Sequence, residues 1–108
     1  MDNSYAKAKV VNLADCVQYQ SGGIVSREII KCANGTITLF AFARGQGLSE
    51  HTAPFDALVQ ILEGEAVIGL GGKRHIVRAG ESLTMPAGAP HWLSAEVEFK
   101  MMLTMIRS

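Results

Sequence analysis

The sequence has little of what several large classes of protein need. Lys plus Arg and Asp plus Glu both total 10 among 108 residues, so the formal net charge is zero. A chain without a basic excess lacks the electrostatic footprint of a protein that binds nucleic acid or an anionic membrane surface. It also has no apolar run of about 18 residues, so we expect no membrane span.

Cysteines are scarce, and the beginning of the sequence lacks the apolar stretch of a secretory signal. The two cysteines, Cys16 and Cys32, do not have the spacing of a metal site. We therefore expect a cytoplasmic protein with reduced thiols. Hydrophobic residues make up 48% of the chain, which is enough for a packed core, and 108 residues are enough for one domain only.

No segment keeps a helical apolar period over 12 residues, and the apolar runs are short and separated by eleven glycines and three prolines. This pattern predicts an all-β antiparallel sandwich or barrel. We expect a type I′ hairpin turn at Asn34-Gly35 and a turn at Glu63-Gly64-Glu65. The predicted strands are residues 8–13, 24–31, 36–43, 57–62, 66–70, 74–78, 82–85 and 99–106. In the last of these, Phe99, Met101, Leu103 and Met105 share one face and are expected to fill the core.

Two segments have a regular spacing of glycine, proline and histidine. In residues 45–64, five residues separate Gly45 from His51, and the segment ends at Gly64. In residues 80–95, Gly80 is followed after five residues by Pro86-Ala87-Gly88 and then, after two more, by His91. These segments resemble the two motifs of the cupin superfamily, in particular the small single-domain cupins of the cupin 2 conserved-barrel type. The resemblance implies one cupin domain over residues 1–108, folded as an antiparallel jelly-roll-like β-barrel.

The resemblance also indicates a metal site that has lost most of its ligands. In metal-binding cupins, two histidines and a glutamate of the first motif and a histidine of the second converge inside the barrel. Such a set suits Fe, Mn, Ni or Zn. Here Ala53 stands at the second histidine position, Ala57 at the glutamate position and Ala95 at the asparagine position of the second motif. Only His51 and His91 remain as metal ligands.

Two histidines fall short of the three protein ligands that catalytic metal sites usually have. Asp56, beside the bend at residues 54–55, and His75, which shares a strand face with Val77, are the candidates for a third ligand. Occupancy of the pair by a divalent metal at less than one ion per chain stays open.

Replacing polar ligands with alanine removes volume from the barrel interior. Either Phe40, Phe42 and the methionines fill that space, or a ligand does. The favoured interpretation is a wider, more apolar pocket lined by Ala53, Ala57 and Ala95, in which His51 and His91 anchor a small organic ligand.

Two enzymatic alternatives stay open beside this binding function. One is a metal-dependent dioxygenase or isomerase that uses His51, His91 and one unidentified ligand. The other is a metal-free isomerase in which a histidine acts as the base. The residues do not decide whether the protein is an enzyme, and they do not identify a substrate.

The run 57–62 is apolar on both faces, so Leu58 and Leu62 need cover on the outside of the sheet. Either the N-terminal segment or a second subunit can supply it, and the resemblance implies a homodimer through this face. Trp92 follows His91 and so points to the opposite face, away from a ligand.

Overall fold

The structure is a computed structural model that describes residues 7–107, and it consists almost entirely of antiparallel strands. Within these residues one 3₁₀ turn, Leu13–Cys16, precedes the strands. Within residues 7–107 no helix is both long enough and apolar enough to cross a membrane. The strands are β1 (Ile24–Cys32), β2 (Gly35–Phe42), β3 (Gly47–His51), β4 (Asp56–Leu70), β5 (Lys73–Arg78), β6 (Ser82–Met85), β7 (His91–Ser94) and β8 (Phe99–Ile106).

The long strand β4 belongs to two sheets. Its first half pairs with β8 and β6, which gives the first sheet the order β1-β2-β8-β4-β6. Its second half pairs with β5 and β7, which gives the second sheet the order β5-β4-β7-β3. Because β4 is continuous, the two sheets form one curled half-barrel of antiparallel strands. This confirms the predicted all-β cupin-like architecture.

The predicted turn at residues 63–65 is wrong, because β4 bends there without ending. The pairing with β8 shifts between Ile61 and Glu63 and continues to Gly64 opposite Phe99. A shift of this kind is a β-bulge, which bends a strand while leaving it in the sheet. Gly64 has φ 78°, and a Cβ there would meet the carbonyl oxygen of Glu98. The glycine therefore permits a bend from one sheet into the other.

The predicted strand at residues 8–13 is also wrong. Val10 is fully exposed, and the chain forms the 3₁₀ turn only from Leu13 onwards. Asn12 caps this turn, because its side-chain oxygen accepts a hydrogen bond from Ala14 N at 3.1 Å. Leu13 and Val17 then pack against the outer face of the first sheet.

The hairpin between β1 and β2 is confirmed, but its turn differs from the prediction. Cys32 pairs with Gly35, so Ala33 and Asn34 form the turn, and neither has a positive φ. A type I′ turn requires positive φ at both central residues, so this turn is of another type. Gly35 instead lies where β8 comes close, because a Cβ there would meet the carbonyl oxygen of Met105.

The main core lies between the inner faces of the two sheets. Phe42 and Phe99 stack at its centre, with ring centroids 4.6 Å apart. The predicted inner face of β8 is confirmed, since Met101 is buried and Leu103 and Met105 pack against the same cluster. The cluster contains Phe42, Ala57, Val59, Ile61, Ala66, Ile68, Val77, Met85, Leu93, Ala95, Phe99 and Met101.

Candidate functional site

The fold brings two imidazole rings together at one edge of the second sheet. His51 ends β3 and His91 begins β7, and the register pairs them directly across the two strands. Their ring centroids lie 4.3 Å apart with an interplanar angle of 64°. Residues that pair in this way point to the same face of a sheet, and Leu48 and Leu93, the next pair along, pack on the barrel interior. The two rings therefore lie at the mouth of the barrel.

Each ring is held by a carbonyl oxygen two residues earlier in the chain. His51 Nδ1 lies 2.8 Å from the oxygen of Ser49, and His91 Nδ1 lies 3.0 Å from the oxygen of Ala89. A carbonyl oxygen can only accept a hydrogen bond, so both Nδ1 atoms carry a proton and donate it. In a neutral imidazole the other nitrogen, Nε2, is then a hydrogen-bond acceptor.

The two Nε2 atoms have no hydrogen-bond partner within residues 7–107. His51 is exposed, whereas His91 is only 6% exposed. In the described part of the chain, Thr36 Oγ1 is the one buried side-chain polar atom without a partner, so His91 Nε2 is not sealed off. Both Nε2 atoms are therefore without a partner in this part of the chain, and His91 Nε2 keeps some contact with solvent although the residue is buried.

The loop before β7 sets the position of His91. Ala87 N donates to the carboxylate of Asp56 at 3.0 Å, and Gly88 N donates to the carbonyl of Ala53 at 2.9 Å. The loop closes on itself through Ala89 N, which donates to the carbonyl of Pro86. Asp56 thus holds the loop whose Ala89 carbonyl orients His91, and it acts as a positioning residue.

His75 lies on the inner face of the second sheet but away from the imidazole pair. It pairs with Ile68 on β4, while His91 pairs with Leu70 on the other side of the same strand. Strand β4 therefore separates the two histidines, and two strand spacings amount to about 10 Å. The structure does not bring His75 to His51 and His91.

The residues at the site do not fit a resident divalent metal. Among residues 7–107 no group of three or more His, Cys, Asp or Glu side chains comes together in a way that could hold a metal ion. Neither of the candidate third ligands, Asp56 and His75, joins the two imidazoles in such a group. A pair of neutral imidazoles gives a divalent cation two ligands and no compensating negative charge.

The three alanines that replace the family's polar residues occupy different environments. Ala57 is 4% and Ala95 1% exposed, and both belong to the main core cluster with Phe42, Phe99 and Met85. Aromatic and methionine side chains pack in the same cluster as Ala57 and Ala95, which favours a filled interior over the wide pocket expected there. Ala53 is half-buried and lies at the rim, tied to Gly88.

Several groups that shape the site were missed by the sequence-based reasoning. The carbonyls of Ser49 and Ala89 are main-chain atoms, which carry no residue-type signal. The position of Asp56 beside the 54–55 bend indicated a functional residue. From that position we predicted a metal ligand, whereas the structure shows a hydrogen bond to the loop. Trp92, by contrast, was expected to point to the face opposite His91. Its indole covers Gly69, the residue of β4 that pairs with it.

Comparison with known proteins agrees with this architecture. Residues 38–107, which include both histidines, match the cupin domain family. The chain belongs to the cupin superfamily. No curated protein matches this cupin.

Two similar solved structures cover most of the chain and have comparable length. A conserved protein of unknown function from Streptococcus pyogenes is 35% identical, with a TM-score of 0.89 over 94% of this chain and 89% of that one. A cupin superfamily protein from Desulfitobacterium hafniense is 26% identical, with a TM-score of 0.89 over 94% of both chains.

A third similar structure belongs to a longer protein. The cupin 2 conserved barrel domain protein from Leptotrichia buccalis is 43% identical over 90% of this chain, with a TM-score of 0.87. This cupin spans 47% of that chain, or about half its length.

Proposed function

We propose that this cupin binds a small organic molecule at the mouth of its barrel, with His51 and His91 as the polar anchors. The observation that supports the proposal is the pair of Nε2 atoms, which have no partner within residues 7–107 although His91 is a buried residue. Apolar neighbours surround the pair, since Leu48, Leu70 and Leu93 lie beside it in the strand register. A few fixed polar groups on an apolar surface are typical of sites for small organic molecules.

The metal-dependent alternative has less support, because the donor set stops at two imidazoles. Metal analysis by mass spectrometry on tag-free protein tests it directly, with a His51→Ala, His91→Ala double variant as the control. We expect less than one metal ion per chain in both proteins. One ion per chain in the wild type that is lost in the double variant would replace the proposed function with a metal-dependent one.

The metal-free isomerase also has less support, since a base alone does not complete a proton transfer. Such an enzyme needs an acid near the substrate. Tyr19 does not supply it, because its hydroxyl donates to Glu63 Oε2 at 2.6 Å on the outer side of the first sheet. Tyr5 lies outside the described residues.

A ligand screen by thermal shift tests the proposed function. Compounds that bind the native state raise its stability, by about 2.7 kcal/mol at a concentration 100 times the Kd. We expect hits on the wild-type protein whose thermal shift is smaller in both His51→Ala and His91→Ala. The matched control is His75→Ala, which removes the same side chain two strands away and should keep the full shift. Hits with an unchanged shift in both single variants would contradict the proposal.

A further inference from the structure

The tautomers of His51 and His91 determine which kind of ligand the site can accept, provided that the proposed function holds. Both rings use Nδ1–H to donate to a main-chain carbonyl and leave Nε2 as an acceptor. An acceptor pair attracts hydrogen-bond donors and repels the lone pairs of a carboxylate or phosphate. The two tautomers therefore restrict the ligand to groups that donate hydrogen bonds.

The tautomer of His91 is fixed by a braced carbonyl. In the loop that carries Ala89, Ala87 N donates to Asp56 and Gly88 N donates to Ala53. Ala89 N itself donates to Pro86. Moving the proton from Nδ1 to Nε2 would set the Nδ1 lone pair against the lone pairs of the Ala89 oxygen at 3.0 Å. The hydrogen bonds of the Ala87, Gly88 and Ala89 amides hold the part of the loop that leads to this carbonyl.

His51 shows the same arrangement on a different element. Its carbonyl partner, Ser49, lies on β3 where the pairing with β7 shifts between Leu48 and His51. Ser49 lies within this bulge, and its carbonyl oxygen contacts the ring of the residue two positions later. A loop at His91 and a bulge at His51 thus favour the same tautomer in both imidazoles, with the proton on Nδ1.

The surroundings of the pair limit the rest of the ligand. Leu48, Leu70 and Leu93 are the strand neighbours of the two histidines, and Ala53 lies at the rim. These groups offer apolar contact and no second set of polar partners. The ring centroids lie 4.3 Å apart, so one small molecule can contact both rings.

We infer that the site selects an uncharged molecule that carries two adjacent hydrogen-bond donors, such as vicinal hydroxyl groups, on an apolar frame. The two donors bind Nε2 of His51 and Nε2 of His91. The apolar frame packs against the neighbouring leucines. Carboxylates of the same size and shape are rejected.

A matched series of four probes tests this selection on the full chain. Cyclohexane-1,2-diol has two donors, 2-methoxycyclohexanol has one, 1,2-dimethoxycyclohexane has none, and cyclohexanecarboxylate has a negative charge. Each is titrated at about pH 8 with EDTA into ¹⁵N-labelled protein, and the imidazole nitrogens are followed by long-range ¹H–¹⁵N NMR. The spectrum of the free protein reports the tautomers directly, and we expect unprotonated Nε2 in both rings.

The expected order of affinity follows the number of donors. The diol should shift both Nε2 resonances, and each methyl ether should weaken binding by roughly 2- to 12-fold, the range for loss of one hydrogen bond. The carboxylate should not bind. His51→Ala and His91→Ala should each bring the diol down to the affinity of the monoether, and His75→Ala should bind it like the wild type.

The possible failures separate the inference from the proposed function. A protonated Nε2 in either ring, a diol that leaves both rings unshifted, or a carboxylate that binds as tightly as the diol would each overturn the donor selection. The proposed function survives those results if any other compound of the thermal-shift screen binds through the two imidazoles. If none does, the proposed function fails with it.

Discussion

The position of the Trp92 side chain requires a glycine at residue 69, because a larger residue would overlap the indole. The two residues pair across β4 and β7, and the indole of Trp92 occupies the space where a Cβ on Gly69 would lie. The backbone of β4 is therefore covered directly by an aromatic ring on the outer face of the second sheet. His91, the residue before Trp92, points to the opposite face, so the same short strand supports both the ring and the site.

Substituting Gly69→Ala should force the indole out of its place. Overpacking of this kind usually costs about 1–3 kcal/mol, and urea unfolding should show a loss of that size. Trp92 is the single tryptophan, so its fluorescence should also report a more exposed ring. Gly23→Ala is the matched control, because a Cβ there meets only the Gln20 oxygen at 3.8 Å. Equal stability of the two variants would contradict this account.

Single residues can be predicted where residue type carries information. The spacing of Gly45 and His51 and that of Gly80, Pro86 and His91 indicated both histidines as site residues, and the structure brings them together. The carbonyls that orient them could not be predicted, because a main-chain oxygen is the same in every residue. The filling of the interior by Phe42 and Phe99 also depends on long-range register, which a local pattern does not contain.

Among the elements, the N-terminal segment of the described chain, residues 13–19, covers part of the first sheet and is held there by a buried lysine. Lys100 on β8 is 5% exposed, and its Nζ donates to the carbonyl of Ala14 in the 3₁₀ turn at 2.6 Å. Its Nζ also lies 5.1 Å from the centroid of the Tyr19 ring and 4.0 Å from Glu63 Oε2. Because a buried charge is costly without partners, these contacts attach the segment to the sheet.

The attachment of this segment should weaken at high pH through Tyr19. Burial, the hydrogen bond to Glu63 and the charges of Glu63 and Glu98 raise the pKa of Tyr19 well above its ordinary value of 10.0. A raised pKa means that the fold favours the protonated phenol, so this contribution to stability is complete below pH 10 and declines as the pH rises further.

Comparison of the wild type with Tyr19→Phe isolates this effect. At about pH 8 the variant should be less stable by roughly 1 kcal/mol, because it lacks the hydrogen bond to Glu63. Between about pH 10 and 11.5 the wild type should lose stability faster than the variant, so the difference between their urea midpoints should shrink. A difference that stays constant over this range would contradict the role assigned to Tyr19.

The errors in the predicted elements have the same physical origin. Residues 8–13 have the apolar content of a strand, but Leu13 and Val17 pack on the outer face of the first sheet, and the chain there joins no strand ladder. Gly64 between two glutamates has the composition of a turn, yet pairing with β8 continues through it as a bulge. In both cases, tertiary packing outweighs a local preference.

On the scale of the whole molecule, the outer face of the first sheet is only partly covered. The N-terminal segment packs over Leu39, Ala41 and Leu62, so it supplies the cover that Leu62 was predicted to need. Beside these residues, a row of paired side chains that crosses the first sheet from β1 to β6 has no charged residue, and its member Ile30 is 51% exposed. This uncharged row consists of Ile30, Ile37, Thr104, Leu58 and Thr84.

We propose that a second copy of the chain covers the uncharged row, so the homodimer stays a prediction. Light scattering should give twice the chain mass of 11.6 kDa at micromolar concentration. Ile30→Lys should reduce it to the monomer mass without unfolding the protein, since the residue is half exposed. Val97→Lys is the matched control. Val97 is similarly exposed, at 47%, but it lies just before the start of β8, whereas the uncharged row crosses β8 near its end. A monomeric wild type would contradict the prediction.

The order of the strands has a consequence for how the protein is made in the cell. Strand β8 is the last of the eight in the sequence, yet it lies between β2 and β4 in the middle of the first sheet. While the chain is still emerging from the ribosome, both of those strands expose unpaired edges that invite aggregation. The first sheet can be completed only when β8 has left the ribosome, so until then β2 and β4 lack the partner that joins them.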